Sequence, residues 1–88
     1  MSAPFPLSLD QLPRRRPAIV ASVDWASLSL PERRRLRNLG LDEGVEVEAL
    51  HAGPIGGDPV AVRIGKLTLA MRRAHARAII VAEGEAAV

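Results

Sequence analysis

Arg34 to Val47, RRLRNLGLDEGVEV, is the stretch whose reading decides the fold. Leu36 and Leu39 stand three residues apart among arginines, the pattern of a short helix with one apolar side. Gly40 follows where a helix exit needs a residue tolerant of the left-handed conformation, and Leu41 is placed to pack back on the last turn. From Val45 the period changes to two. Val45, Val47 and Ala49 alternate with Glu46 and Glu48, so a half-buried strand leaves the glycine exit almost at once, past Gly44. The helix begins upstream at Ser29-Leu30-Pro31-Glu32. Ser29 is its cap, Glu32 holds the capping-box position, and Pro31 lies in the first turn, where a missing N–H is harmless. Arg33 and Arg37 point outward, a like-charge spacing that costs a few tenths of a kcal/mol in an isolated helix. The same cations near the C-terminal end are favoured by the helix dipole.

Downstream the alternation continues. Val60, Val62 and Ile64 alternate with Ala61 and Arg63, and Leu67, Leu69 and Met71 with Thr68 and Ala70, predicting antiparallel strands. Gly65-Lys66 joins them as a two-residue turn of type II′, with glycine first. Ala52 to Pro59, AGPIGGDP, reads as a wide, flexible hairpin tip. It lacks the lysine and the serine or threonine that a phosphate-cradling loop places ahead of a helix. Arg72 to Ala78 predicts a turn or two of helix, and Ile79-Ile80-Val81 a closing strand.

Upstream, Ala18 to Val23 reads as the first strand, and Trp25 as a residue of the core or its edge rather than a binding anchor. Pro4, Pro6, Pro13 and Pro17 make residues 1–17 a loosely held arm, with Leu7, Leu9 and Leu12 along the domain surface or in one helical turn after Ser8. Arg14 to Arg16 is read as a solvated turn. The expected fold is mainly β: a small SH3-like barrel of five strands, with one helix after the first strand and a short one before the last. Its single domain is expected at 18–83, with a tail at 84–88.

Composition limits the chemistry. A chain of 88 residues holds one domain and buries only about 60–65% of its unfolded surface. The sequence pI of about 10.4 suggests a strong cation, yet the formal net charge is +2. With no Cys or Tyr to titrate between histidine and lysine, a small excess of arginine carries the pI upward without a strong positive field. Absence of cysteine excludes disulfides, thiolate zinc sites, iron–sulfur clusters and a cysteine nucleophile. No apolar run is long enough to span a bilayer, and the N-terminus lacks a basic region followed by an apolar stretch, so a cytoplasmic protein without membrane insertion is expected. His51 and His75 have no metal-ligand spacing. No nucleophile and base can be paired, so no catalytic residue and no enzyme activity are expected. No metal-ligating residue is assigned and no cofactor is expected, a divalent metal ion being the alternative left open.

Several segments together resemble a known family. Leu7 to Leu12, Ala18 to Val23, RRLRNLGLDEGVEVEAL, GPIGGDPVAVRIGKLTLAMRR and Ala76 to Val81 are similar to the FeoA family, small cytoplasmic proteins associated with bacterial ferrous iron uptake. The resemblance spans nearly the whole chain. Its structural motif falls on Gly40, Gly44, Gly57, Asp58, Pro59, Arg72 and Arg73. The chain departs from the family at Ala74 and His75, where acidic residues are common, at the extra glycine of Gly56-Gly57, and at Arg14 to Arg16, which replace a turn usually containing glycine. The resemblance implies an SH3-like barrel, neither enzyme nor channel, acting on the cytoplasmic domain of a FeoB-type membrane transporter. Docking is the expected mode, through Arg33, Arg34, Arg37, Leu39, Leu41 and Ile55, with homo-oligomers left open. The alternatives are a barrel module of a metal-dependent regulator or a nucleic-acid-contacting barrel. Nucleic acid is not expected as a partner, because the chain lacks exposed stacking aromatics and a strong charge excess.

Overall fold

Helix α1 (Leu30–Asn38) ends in the way its sequence dictates. In the computed structural model, which describes residues 6–83 with the side chains at 54, 55 and 83 outside the description, Gly40 has φ +101°. Leu41 N–H donates to Leu36 C=O and Gly40 N–H to Arg37 C=O, each at 3.0 Å. These are the two bonds of a Schellman motif, and they satisfy carbonyls the helix end would otherwise leave open. Leu36 and Leu41 are both core residues, supplying the apolar contact that accompanies the motif. At the other end the Ser29 hydroxyl accepts from Glu32 N–H at 3.3 Å. The capping box is only half formed, because the Glu32 carboxylate turns instead to Arg35 and His75.

The helix sits on one sheet. Strands β1 (Leu7–Ser8), β2 (Ala18–Val23), β3 (Glu46–Ile55), β4 (Asp58–Ile64), β5 (Leu67–Met71) and β6 (Ile79–Glu83) are ordered β1-β6-β2-β3-β4-β5, all antiparallel. A short helix α2 (Arg73–Ala76) precedes β6. The expected closing strand at Ile79 is present, and so is the Gly65-Lys66 turn: Ile64 pairs with Leu67 and Gly65 has φ +60°. Buried side chains follow the predicted alternation through Val47 and Ala49, then Val60, Val62 and Ile64. A bulge at Leu50 breaks it, since Ala49 faces Val62 but His51 faces Ala61. The extra residue reverses the face, which turns His51 outward and Ala52 toward Val60's side.

Three expectations change. There are six strands rather than five, because Leu7–Ser8 pairs with β6 at Val81 and Ile80. The loosely held arm is instead packed over its described part: Leu9 and Leu12 are fully buried around a 3-10 turn at Leu9–Gln11. That turn is a capping box of Ser8 and Gln11, and burial of two leucines is worth about 1.5–3 kcal/mol each, enough to hold a proline-broken segment down. Positions 1–5 and 84–88 lie outside the described residues. The wide hairpin tip is in fact tight. β3 and β4 run to Ile55 opposite Asp58, leaving Gly56 (φ +64°) and Gly57 (φ +78°) as a two-residue turn, the positive-φ pair that matches strand twist. Gly53 and Pro54 stand against the single residue Pro59 as a second bulge.

Candidate functional site

Arginines divide into two groups by what they face. Arg63 on β4 is directly opposite Glu48 on β3 and binds it at 2.8 Å, with Glu46 at 3.3 Å. The hydrogen bond to Glu48 raises the Arg63 pKa above its ordinary value, as expected of a charge-assisted bond joining two strands. Arg73 donates to Gly56 C=O at 2.8 Å and lies 3.8 Å from Asp10, whose other neighbour is Arg77 at 3.6 Å. Asp10 is nearly buried, its side chain 5% exposed, and its second oxygen takes the Ser8 hydroxyl. Arg35 is paired with Glu32 at 2.9 Å, and the same carboxylate lies 3.2 Å from His75 Nδ1. These contacts tie α1 to α2, α2 to the β3–β4 tip, and the N-terminal turn to α2 and the residue after it.

Arg33, Arg34 and Arg37 face nothing acidic. Among the described residues none has a carboxylate within ion-pair distance. At about 100° per residue the three occupy roughly a quarter of the helix circumference, with Arg34 and Arg37 away from Leu36 and Leu39 and Arg33 bordering Leu36. Arg37 lies over the Trp25 ring, 4.6 Å from its centroid, a stacking contact that leaves the outer guanidinium edge free to donate. Trp25 itself is half-buried and packs on the core, so it is the core-edge residue expected and also a platform, a role its sequence position did not suggest. Arg33 is half-buried, and its Nε is the one buried side-chain polar atom among the described residues without a hydrogen-bond partner. The guanidinium next to it is therefore held close to the protein surface.

Other expected contact residues separate. Leu39 is half-buried beside the arginines. Leu41 is 1% exposed, so its expected role in partner contact is corrected: the Schellman motif that it completes draws it into the core, leaving no surface to offer. Ile55 ends β3 one residue from the tip, and its side chain lies outside the described residues. At the hairpin tip a Cβ on Gly57 would touch Arg73, and the Asp58 carboxylate accepts from Arg73 N–H at 3.0 Å, capping α2 from the neighbouring hairpin. Asp10 and Glu32 were not singled out in the sequence as anchors. Asp10 lies on the helical turn allowed for after Ser8, but no local pattern signals a partner more than 60 residues away.

Among the described residues no three His, Asp or Glu side chains gather in a geometry that could hold a metal ion. No helix among the described residues is long and apolar enough to cross a membrane. A small β domain whose helix carries arginines without carboxylate neighbours, while Arg35, Arg63, Arg73 and Arg77 lie against carboxylates, is a module of the SH3-like type. The FeoA domain model matches residues 7–83, and the chain belongs to the FeoA family, which is linked to ferrous iron transport. It is similar to FeoA of Stenotrophomonas maltophilia complexed with zinc, described as a prokaryotic SH3 domain protein possibly acting as a bacterial ferrous iron transport activating factor. Identity there is 36%, with 86% of this chain and 89% of that one covered and a TM-score of 0.70. FeoA from Chlorobium tepidum is 34% identical over 90% of this chain and 76% of its own, TM-score 0.74. Iron(II) transport protein A from Clostridium thermocellum is 27% identical with TM-score 0.73; the alignment covers 85% of this chain but only 44% of that one. No curated protein sequence matches the chain.

Proposed function

We propose that this chain is a non-enzymatic accessory protein of bacterial ferrous iron uptake that docks in the cytoplasm on the GTP-binding part of a FeoB-type transporter. The observation that carries the reading is the arginine face of α1. Four other arginines of the domain have carboxylate neighbours, whereas Arg33, Arg34 and Arg37 have none among the described residues. Family membership supplies the link to iron transport. A rigid docking module acts on its partner only by binding one conformation better than another, so the affinity must differ between nucleotide states. Charged contacts at such a face set the association rate and make it salt-sensitive.

Calorimetry against the transporter's soluble domain, nucleotide-free and with GDP or a GTP analogue, tests this. Binding is expected to differ among these states and to weaken roughly tenfold or more in the triple variant R33E/R34E/R37E, whose melting curve checks its fold. Absence of binding in every nucleotide state overturns the proposal.

A further inference from the structure

Strand β5 is an edge of the sheet, and its free side has an uncommon character. Residues that flank a two-residue turn form a hydrogen-bonded pair, and such pairs then alternate along an antiparallel ladder. With Ile64 opposite Leu67, the bonded pairs are Ile64–Leu67, Val62–Leu69 and Val60–Met71. Thr68 and Ala70 therefore direct their N–H and C=O groups away from β4. Among the described residues no loop or turn takes these four groups up.

Proteins blunt such edges with charges, proline or a bulge. The sequence of β5 is LTLAM, without charge or proline, and its pairing with β4 has no register shift. Leu67 shares a face with Leu69 and Met71 yet remains 40% exposed. What charge there is stands outside the strand: Lys66 before it and Arg72 after it, both exposed and neither paired with a carboxylate among the described residues.

The two bracketing cations decide what can occupy the edge. A second copy of this chain, paired symmetrically about Leu69, would set Lys66 against Arg72 of the copy at both ends, and like charges placed opposite each other are destabilising. An extended segment of another protein with an acidic residue at each end turns both contacts attractive. We propose that the β5 edge receives such a segment by strand addition: five residues laid along Leu67–Met71, bonded to the outward groups of Thr68 and Ala70 and bracketed by carboxylates facing Lys66 and Arg72. An apolar side chain of that segment covers Leu67. This surface is independent of the α1 arginine face, and either can fail without the other.

The probe is a capped heptapeptide of alternating valine and threonine with a glutamate at each end, titrated into the isotope-labelled full chain. Expected are amide shift changes confined to Lys66 through Arg72, slower exchange of the Thr68 and Ala70 amides, and about tenfold weaker binding of the same peptide with lysine ends. The R33E/R34E/R37E variant binds the peptide as the parent does. Thr68→Pro removes one outward N–H while sparing the β4 ladder, and it abolishes binding; if its melting point falls far below the parent's, Ala70→Pro takes its place. Lys66→Glu supplies the missing attraction between copies, so sedimentation finds a larger dimer fraction than in the monomeric parent. No shifts up to the peptide's solubility, shifts centred on α1, equal binding of both peptides, undiminished binding by the proline variant, a parent already dimeric through this edge, or no gain in dimer with Lys66→Glu each overturns the proposal.

Discussion

Of the residues in left-handed backbone, Gly40 and Arg15 stand there with opposite chemistry, and exchanging it gives a paired test of the backbone cost. Gly40 has φ +101°, and a Cβ built on it meets nothing within 4 Å. Gly40→Ala therefore creates no clash, and its whole cost is the backbone term of about 1–2 kcal/mol for a Cβ in that region. Both Schellman bonds, at 3.0 Å, can survive that strain. For a domain of this size the cost corresponds to a melting point lower by about 4–8 °C per kcal/mol. Gly40→Asn is expected to lose less, because asparagine tolerates the left-handed region best among residues with a side chain. Arg15 is the reverse case, a residue with a Cβ at φ +60°. Its N–H donates to Ala49 C=O at 2.7 Å, a bond that glycine keeps. Arg15→Gly is expected to stabilise by up to about 1 kcal/mol, the relief of strain less the added freedom of glycine in the unfolded chain. Thermal and urea melts by circular dichroism measure both. An unchanged melting point for Gly40→Ala, an equal loss for Asn and Ala, or destabilisation by Arg15→Gly would refute the reasoning.

Gly53→Ala should cost more than Gly40→Ala although φ at Gly53 is not positive. Its Cβ would lie 2.6 Å from Asp58 O and 2.9 Å from Pro59 O. Both are backbone atoms that cannot swing aside, so a loss of about 2 kcal/mol or more is expected in urea unfolding. Asp58→Ala leaves Arg73 N–H without its acceptor and should destabilise by about 1 kcal/mol, with Asp58→Asn recovering most of it; equal losses for the two would show that the cap bond is not the cause.

Most of the fold was legible because its signals are local. Ser29, Pro31 and the Leu39-Gly40-Leu41 exit bound α1, and alternation from Val45 to Met71 placed three strands with their correct faces. Misread segments were those where short-range chemistry pointed to a loop and longer-range packing overruled it. Proline density suggested a free arm over residues 1–17, but Leu9 and Leu12 are buried there. Glycine and proline in 52–59 suggested a wide tip; Gly56 and Gly57 close it in two residues because both adopt positive φ. The candidate site was less legible. Arg33 and Arg35 look alike in sequence, and only the fold assigns Glu32 to one and leaves the other's Nε without a partner. Leu41 looked like surface next to the arginines and proved to be core.

The division of the arginines bears on how the proposed docking face would work. Arg63 finds Glu48 across a strand pair, and Arg73 finds Asp10 across almost the whole chain. Such partners fix the scaffold. α1 is held at both ends by its caps, laterally by Glu32 against His75, and over Trp25 by Arg37. A face so anchored holds Arg37 over a ring and Arg33 close to the surface, with less side-chain freedom left to lose at these two than at the exposed Arg34. Such preorganisation favours specificity over reach. On the proposed docking, any nucleotide dependence would lie in the partner: the conformation whose acidic groups match the spacing of Arg33, Arg34 and Arg37 would be the one stabilised, and by no more than the difference in affinity for the two.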